Sequence, residues 1–198
     1  MELLVFNKWK ASESEITDDG LKRYVNLEPR FRSKTGARYA GRRFHKSKLF
    51  IVERLINRIM IPGHRGKKHT ISSGHNTGKS ALARKIVYEA FGFIEQKTKK
   101  NPVAVFVKAL ENAAPREEII TIEYGGARYP KAVDCAPQRR VDIAIRLIAA
   151  GASDRCFNKK RHIADALADE IILAYNASLD SSAISKKNEV ERQADSSR

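Results

Sequence analysis

After residue 46, apolar side chains recur every three or four positions, a spacing that places them on one face of a helix. Six segments carry this pattern, at about 49–60, 79–97, 101–114, 137–150, 158–174 and 182–194. Asn101 followed by Pro102 is typical of a helix start, since Asn caps the first amides and Pro fits the first turn. Gly151 is predicted to end the fourth helix, and Asn158 to cap the fifth. The last segment is mostly polar, so we expect five or six helices.

One segment alternates apolar and polar side chains instead. Residues 118–124 are rich in Ile and Thr, and Gly125-Gly126 separates them from a second extended run at 127–135. Glycine accepts positive φ at both central positions of a two-residue turn, so this segment predicts a β-hairpin. The predicted fold class is therefore mainly α: a bundle of five to six helices with a β-hairpin inserted between helices three and four, plus an extended basic N-terminal arm.

The periodic segments also suggest how the chain is organised. Residues 1–45 lack sustained periodicity, so we expect an N-terminal extension that is partly extended and basic, followed by a helical domain at 46–198. A chain of 198 residues with 42% hydrophobic side chains is long enough and apolar enough for one buried core. No apolar run approaches the roughly 18 residues of a membrane span, and an acidic second residue does not fit a secretory signal.

Positive charge is the strongest feature of the composition. Lys and Arg number 38 against 23 Asp and Glu, which gives a formal net charge of +15 and favours binding to a polyanion. The densest window, 30–48, has no acid and contains eight candidate phosphate contacts: Arg30, Arg32, Lys34, Arg38, Arg42, Arg43, Lys46 and Lys48. Phe31, Tyr39 and Phe44 interleave with them and are suited to stack on bases or to hold the arm on its own domain, with a solvated linker as the alternative.

Two further basic windows supply the other candidates. Residues 64–88 contribute Arg65, Lys67, Lys68 and Lys79, and residues 128–161 contribute Arg128, Lys131, Arg139, Arg140 and Arg146. Arg139 and Arg146 are seven residues apart, so they share a helix face after two turns. Helical stripes, a protruding hairpin and a flexible arm suit folded RNA, which is recognised largely by shape and backbone contacts. Residues 162–198 carry seven acids against four bases and should face elsewhere.

Two other functions remain open at this point. Gly78-Lys79-Ser80 matches the end of a phosphate-binding loop, but that pattern needs its first glycine where Ser73 stands. A helix start with an exposed amino terminus is therefore favoured over a nucleotide-hydrolysing site. A general nucleic-acid or chromatin protein is the second alternative. It would more simply present one recognition helix to duplex DNA, and no such helix is evident.

Metal and thiol chemistry have little support in the sequence. His64, His69 and His75 share one loop without a cysteine or a paired carboxylate, so we interpret them as polar loop residues rather than zinc ligands. Cys135 and Cys156 are the only cysteines and are interpreted as free thiols. The sequence predicts no enzyme, no catalytic residue, no metal site and no cofactor.

The order of several motifs resembles the family of ribosomal protein seven of the small subunit. The resemblance is carried by Lys67-Lys68, by Ala109-Leu110-Glu111-Asn112 with Pro115, by Tyr124-Gly125-Gly126-Ala127-Arg128-Tyr129, and by Pro137-Gln138-Arg139-Arg140 with Ala144 and Arg146. It covers about residues 46–195. The arm, including Tyr24-Val25-Asn26-Leu27 and the basic run behind it, looks like the archaeal and eukaryotic branch rather than the shorter bacterial one.

This resemblance implies a six-helix domain that organises the head of the small ribosomal subunit in the cytoplasm. The implied partners are the 3′ major domain of small-subunit rRNA, neighbouring head proteins, and the mRNA and exit-site tRNA beside the hairpin, with no membrane and no small-molecule substrate. By position, the implied rRNA contacts are Lys67, Lys68, Arg128, Lys131, Arg139, Arg140 and Arg146. The hairpin tip nearest the exit site is Tyr124, Gly125, Gly126, Ala127 and Arg128. Bacterial members carry more Arg and Lys where this chain has Ile122, Glu123 and Tyr124.

Overall fold

The computed structural model describes residues 3–31, 34–36, 38, 40–63 and 79–198. Within them the chain forms seven α-helices: α1 (Asp19–Lys22), α2 (Ile51–Ile59), α3 (Ser80–Thr98), α4 (Pro102–Ala113), α5 (Pro137–Cys156), α6 (Ile163–Tyr175) and α7 (Ser182–Asp195). A 3-10 helix spans His45–Lys48, and the strands are β1 (Glu117–Tyr124) and β2 (Ala127–Asp134). The mainly α fold is confirmed. The hairpin lies between the third and fourth of the six longer helices, α2–α7.

The end of α5 differs from the sequence prediction. The helix does not stop at Gly151 but continues to Cys156. Gly151 lies inside the helix because its neighbours leave no room for a side chain. A Cβ atom there would lie 2.8 Å from the Glu170 Cδ atom and 2.9 Å from the Ser182 Cβ atom. The glycine therefore allows α6 and α7 to approach α5 closely, and it is not a stop signal.

The helix starts were predicted with mixed success. Asn101 caps α4 as predicted, because its Oδ1 atom accepts a hydrogen bond from the Val103 amide at 3.0 Å. The prediction that Asn158 caps α6 is wrong, since the N-cap residue is His162. Asn158 has a φ of 54°, in the left-handed region that Asn tolerates better than most residues. It serves to turn the chain between α5 and α6.

The main core lies where α3, α4, α5 and α6 pack on one another. Phe91, Phe106, Leu110, Ile148 and Ile171, which come from these four helices, are buried. Burial of large apolar side chains is the main favourable term in folding. These contacts fix α5, and with it the arginine residues of its first turns, relative to the root of the hairpin.

The N-terminal segment adds to the same core. Val5, Trp9 and Leu21 are buried, and the Trp9 ring lies 5.8 Å from the Phe91 ring, centroid to centroid. The Asn101 side-chain amide donates a hydrogen bond of 2.7 Å to the carbonyl of Lys10. Residues 3–27 are thus held against the helices before the basic window begins.

The hairpin is a regular two-stranded unit. β1 and β2 pair antiparallel, with Glu117 opposite Asp134 and Tyr124 opposite Ala127. The turn residues Gly125 and Gly126 have φ values of 58° and 81°, as the Gly-Gly pair predicts. Every residue from 120 to 131 is exposed.

The two faces of the hairpin differ, and α7 supports its root. Because side chains alternate along a strand, Ile120, Ile122 and Tyr124 share one face with Tyr129 and Lys131 on the other strand.

At the root of the hairpin, the Arg116 amide donates to the Glu191 carboxylate at 2.8 Å, and Arg198 pairs with Glu117. The apolar face is left exposed beyond that support.

Candidate nucleic-acid interface

Two neighbouring arginines at the start of α5 have different roles. The Arg139 Nε and Nη2 atoms donate to the two carboxylate oxygens of Glu118 at 2.5 and 2.6 Å, and 53% of the Arg139 side chain stays exposed. These hydrogen bonds hold the pKa of Glu118 below its ordinary value. The Arg140 side chain is only 11% exposed. Its Nη2 atom donates to Asp18 at 2.8 Å and its Nε atom to the Pro115 carbonyl at 3.1 Å. Arg139 therefore faces outward and Arg140 holds the fold together.

A second cluster lies between α2 and α5. The Asp142 carboxylate accepts hydrogen bonds from Lys46 at 2.9 Å and from Arg54 at 3.0 Å. Burial raises the pKa of Asp142, but these two cations outweigh it and hold the pKa below its ordinary value. Arg54 also donates to the Tyr24 carbonyl at 3.0 Å, so it is a tether between segments. Lys46 is half-buried in this arrangement.

A groove of about 690 Å³ opens beside this cluster. It brings together cations that are far apart in sequence: Lys34 and Lys46 from the basic window, Arg54 and Arg58 from α2, and Arg146 from α5. Lys34 and Arg146 are exposed. Exposed cations at a concave surface attract phosphate groups, so this is the most developed candidate interface in the described chain.

The other predicted contacts of the basic window lie at the surface. Lys34, Arg38, Arg42, Arg43 and Lys48 are exposed, and Arg30 is half-buried. The Arg43 guanidinium lies 4.8 Å from the centre of the Phe44 ring, which is a cation–π contact. The Phe44 ring in turn packs edge-on against Tyr24 at 6.3 Å. The Phe44 ring thus holds this part of the arm against Tyr24, in the N-terminal segment.

One predicted residue, Lys79, lies exposed at a helix start, and several others fall outside the described chain. Lys79 is exposed at the N-cap of α3, without a side-chain cap hydrogen bond. Arg32, Arg65, Lys67 and Lys68 lie outside the described residues, as do His64, His69, His75 and the loop from Ser73 to Gly78. Lys79 and Ser80 are the described part of the loop-like motif, and they form a helix start whose N-cap is Lys79 rather than the predicted Asn76 or Thr77.

The hairpin tip is the most exposed part of the candidate interface. The Tyr124 side chain is 82% exposed, and Gly125, Gly126 and Ala127 are exposed beside it. Arg128 pairs across the turn with Glu123 at 3.5 Å, with both side chains open to solvent. An exposed ion pair of this kind contributes at most about 1 kcal/mol, so Arg128 can exchange its partner for a phosphate at little cost.

Sequence reasoning missed two kinds of residue. The first is the set of acids that hold basic side chains in place, namely Asp18, Glu118 and Asp142, whose partners are 21 to 122 residues away in the chain. The second is the pair Arg54 and Arg58 within α2. Their spacing of four residues puts them on one face, which was the available signal.

The described residues contain no candidate metal site, no membrane-spanning helix and no activated thiol. There, no group of three or more His, Cys, Asp and Glu side chains is placed to bind a metal ion. Within the same part of the chain, no helix is both long and apolar enough to cross a bilayer. Cys135 is a buried free thiol, and burial together with Glu118 raises its pKa to about 11. A thiol with that pKa is a poor nucleophile near neutral pH.

Comparison with known proteins gives consistent matches. Residues 18–198 match the family model described as Ribosomal protein S7p/S5e. The small ribosomal subunit protein uS7 of Nanoarchaeum equitans is 52% identical over 198 residues, which is 100% of both chains. That of Archaeoglobus fulgidus is 52% identical over 197 residues, covering 100% of this chain and 96% of the relative. That of Methanothrix thermoacetophila is 50% identical over 194 residues, covering 98% and 99%.

Proposed function

The chain belongs to the ribosomal protein S7p/S5e family, and from that premise we propose that it binds the 3′ major domain of small-subunit rRNA and organises assembly of the head. It is a structural protein of the small ribosomal subunit, of the archaeal type, and acts in translation in the cytoplasmic ribosome. It is not an enzyme, and it binds small-subunit rRNA together with ribosomal proteins.

The groove between α2 and α5 is the observation that supports this mode of binding best. Exposed cations from the arm and from α5 both line it, namely Lys34 and Arg146. Arg139 lies two turns before Arg146 on the same helix face and is also exposed. Phosphate neutralisation at these side chains accounts for affinity for a folded RNA without requiring base-specific contacts.

The hairpin supports a second contact, which we place beside the mRNA and the exit-site tRNA. Each strand has eight residues, so at about 3.4 Å per residue the tip lies about 25 Å from the root. Arg128 and Lys131 are its only cations, and Tyr124 and Tyr129 are exposed. Contact through this hairpin therefore combines a few phosphate interactions with stacking of bases on tyrosine rings.

Salt titration of rRNA binding tests the first contact. We expect Arg139→Ala to weaken binding to a 3′ major domain RNA and to reduce the slope of log K against log salt by about 1, because one phosphate contact is lost. Lys186→Ala is the matched control, since it removes one cation from α7 within the acidic C-terminal region. An Arg139→Ala protein with unchanged affinity at every salt concentration contradicts the proposal. Equal binding to any duplex favours a general nucleic-acid protein instead.

Crosslinking of assembled subunits tests the second contact. A photoreactive group at Tyr124, which is 82% exposed and outside the core, should crosslink mRNA or exit-site tRNA in translating ribosomes. The same group at Lys186 on α7 serves as the control and should not. Crosslinks from Tyr124 only to other ribosomal proteins would show that the hairpin lies elsewhere.

A further inference from the structure

The groove between α2 and α5 has the dimensions of a ligand site. Its volume of about 690 Å³ lies within the range of about 300–1,000 Å³ that is usual for pockets that enclose small molecules. Leu49, Met60 and Ile145 form the apolar part of its lining. A flat nucleobase can lie against such a surface, since each base has an apolar face.

The lining of the groove concentrates positive charge. Arg58 from α2, Arg146 from α5 and Lys34 from the basic window all line it. Burial lowers the pKa of Arg58, and the nearby positive charge of Arg146 lowers it further. Two guanidinium groups that repel each other in this way are stabilised when an anion lies between them, and a phosphate accepts hydrogen bonds from both.

The lining of the groove also contains a buried acid, Glu53. Glu53 is only 1% exposed, and its Oε1 atom accepts hydrogen bonds from the Thr35 amide and hydroxyl, both at 2.7 Å. Its Oε2 atom is buried without a hydrogen-bond partner among the described residues. A buried carboxylate oxygen in this state is costly, so the site is suited to a ligand that brings a donor.

We infer that the groove holds one unstacked nucleotide of the rRNA, with its phosphate at Arg58 and Arg146 and an N–H group of its base directed at Glu53. The inference rests on the proposed function and adds a specific site to it. Each base carries at least one ring or exocyclic N–H donor, so the site recognises an unpaired nucleotide by its shape and its donor group.

Other occupants fit this combination of charges less well. A free phosphate would match the arginine residues but would be repelled by the Glu53 carboxylate and would bring no donor to it. A Lys or Arg side chain from a neighbouring protein would suit Glu53 but would be repelled by the surrounding cations. A nucleotide brings an anionic group and a donor group in one ligand, several ångströms apart.

Chemical probing of the rRNA tests this inference. The full chain is bound to the 3′ major domain RNA, and unpaired bases are probed with dimethyl sulfate and a carbodiimide. We expect one unpaired nucleotide to be protected by the wild-type protein and to recover at least fivefold in reactivity with Arg146→Ala, while the rest of the footprint remains. Glu53→Gln should expose the same nucleotide, because Gln keeps an oxygen for Thr35 and turns an NH2 group toward the base.

Controls separate this inference from the proposed function. Lys186→Ala should leave the whole footprint unchanged, and thermal unfolding of each variant establishes that it is folded. A uniform loss of affinity with Arg146→Ala, with no single nucleotide exposed, would overturn the inference and leave the proposed function intact. Failure of the wild-type protein to bind the RNA would reject both. Because Arg146 is exposed, its variant keeps the test valid even if Glu53→Gln does not fold.

Discussion

The hairpin and the junction of α5, α6 and α7 use their side chains in opposite ways. In the hairpin, every residue from 120 to 131 is exposed. At the junction, the Glu170 carboxylate is completely buried and accepts hydrogen bonds from Arg155 at 2.9 Å, from the Ser181 hydroxyl at 2.9 Å and from the Ala183 amide at 3.1 Å. One region leaves its side chains open to solvent, and the other joins three helices of the same chain.

From this difference we predict that stability and RNA contact depend on separate residues. A region with few internal contacts can change without affecting the free energy of unfolding, whereas a buried polar network fails when one member is lost. Arg140 lies between the two cases, because it joins the N-terminal segment to Pro115, two residues before the hairpin. Variants of the junction, of Arg140 and of the hairpin should therefore differ in how much they lower the free energy of unfolding and in whether they change RNA contact.

The largest effect is expected at the junction. Glu170→Ala removes the acceptor for Arg155 and for two donors at the start of α7, which leaves buried groups without partners. Breaking a buried pair in this way costs about 3–5 kcal/mol, so we expect the free energy of unfolding to fall by that amount in urea denaturation.

The matched control is Glu189→Ala on α7. Glu189 pairs with Lys186 at 2.7 Å in an exposed position, and such pairs contribute at most about 1 kcal/mol. Equal losses in the two variants would erase the contrast between buried and exposed carboxylates and show that the junction is less important than its geometry indicates.

An intermediate effect is expected at Arg140. Arg140→Ala should lower the free energy of unfolding by about 2–3 kcal/mol, because Asp18 loses its buried partner and the Pro115 carbonyl loses a donor. Arg139→Ala should lower it by less than about 1 kcal/mol, since Arg139 is exposed. Urea denaturation of the two neighbouring variants measures this difference, and equal stability would contradict the internal role of Arg140.

The Arg140 contribution should also depend on pH. Burial alone raises the pKa of Asp18, but the hydrogen bond and the charge of Arg140 outweigh it, so the pKa lies below the ordinary value of 3.8. A lowered carboxyl pKa stabilises the fold fully above pH 3.8, and this contribution is lost as the pH falls through the folded-state pKa. The stability difference between wild type and Arg140→Ala should therefore narrow only below about pH 4.

The smallest effect on stability is expected at the hairpin tip. Tyr124→Ala changes a side chain that is 82% exposed, so the free energy of unfolding should stay within about 0.5 kcal/mol of wild type. The yield of crosslinks between the hairpin tip and mRNA or exit-site tRNA should nevertheless fall. A large loss of stability would show that the hairpin supports the fold, which would break the contrast with the junction.

Local signals in the sequence predicted much of the fold because they act over a few residues. Asn101 with Pro102 located a helix start, and Gly125 with Gly126 located the turn, since each depends on backbone geometry at that position alone. Gly151 misled the prediction for the same reason. A glycine that allows two helices to approach looks, within its own segment, like a glycine that ends one.

The candidate interface was predictable in composition but not in the role of each cation. Arg139 and Arg140 are adjacent and chemically identical, and only distant partners separate them: Glu118 on the hairpin and Asp18 near the N-terminus. The groove could not be predicted from the sequence either, because Lys34, Arg58 and Arg146 come from three separated segments. Tertiary contacts of this kind leave no periodicity in a single sequence.

The bond between Arg140 and Asp18 has a consequence for biosynthesis, since 122 residues separate its partners. As the polypeptide leaves the ribosome that makes it, Asp18 emerges long before α5 exists. Closing so large a loop is slow and entropically costly. The segment around Asp18 therefore cannot form this contact with α5 until most of the chain has emerged.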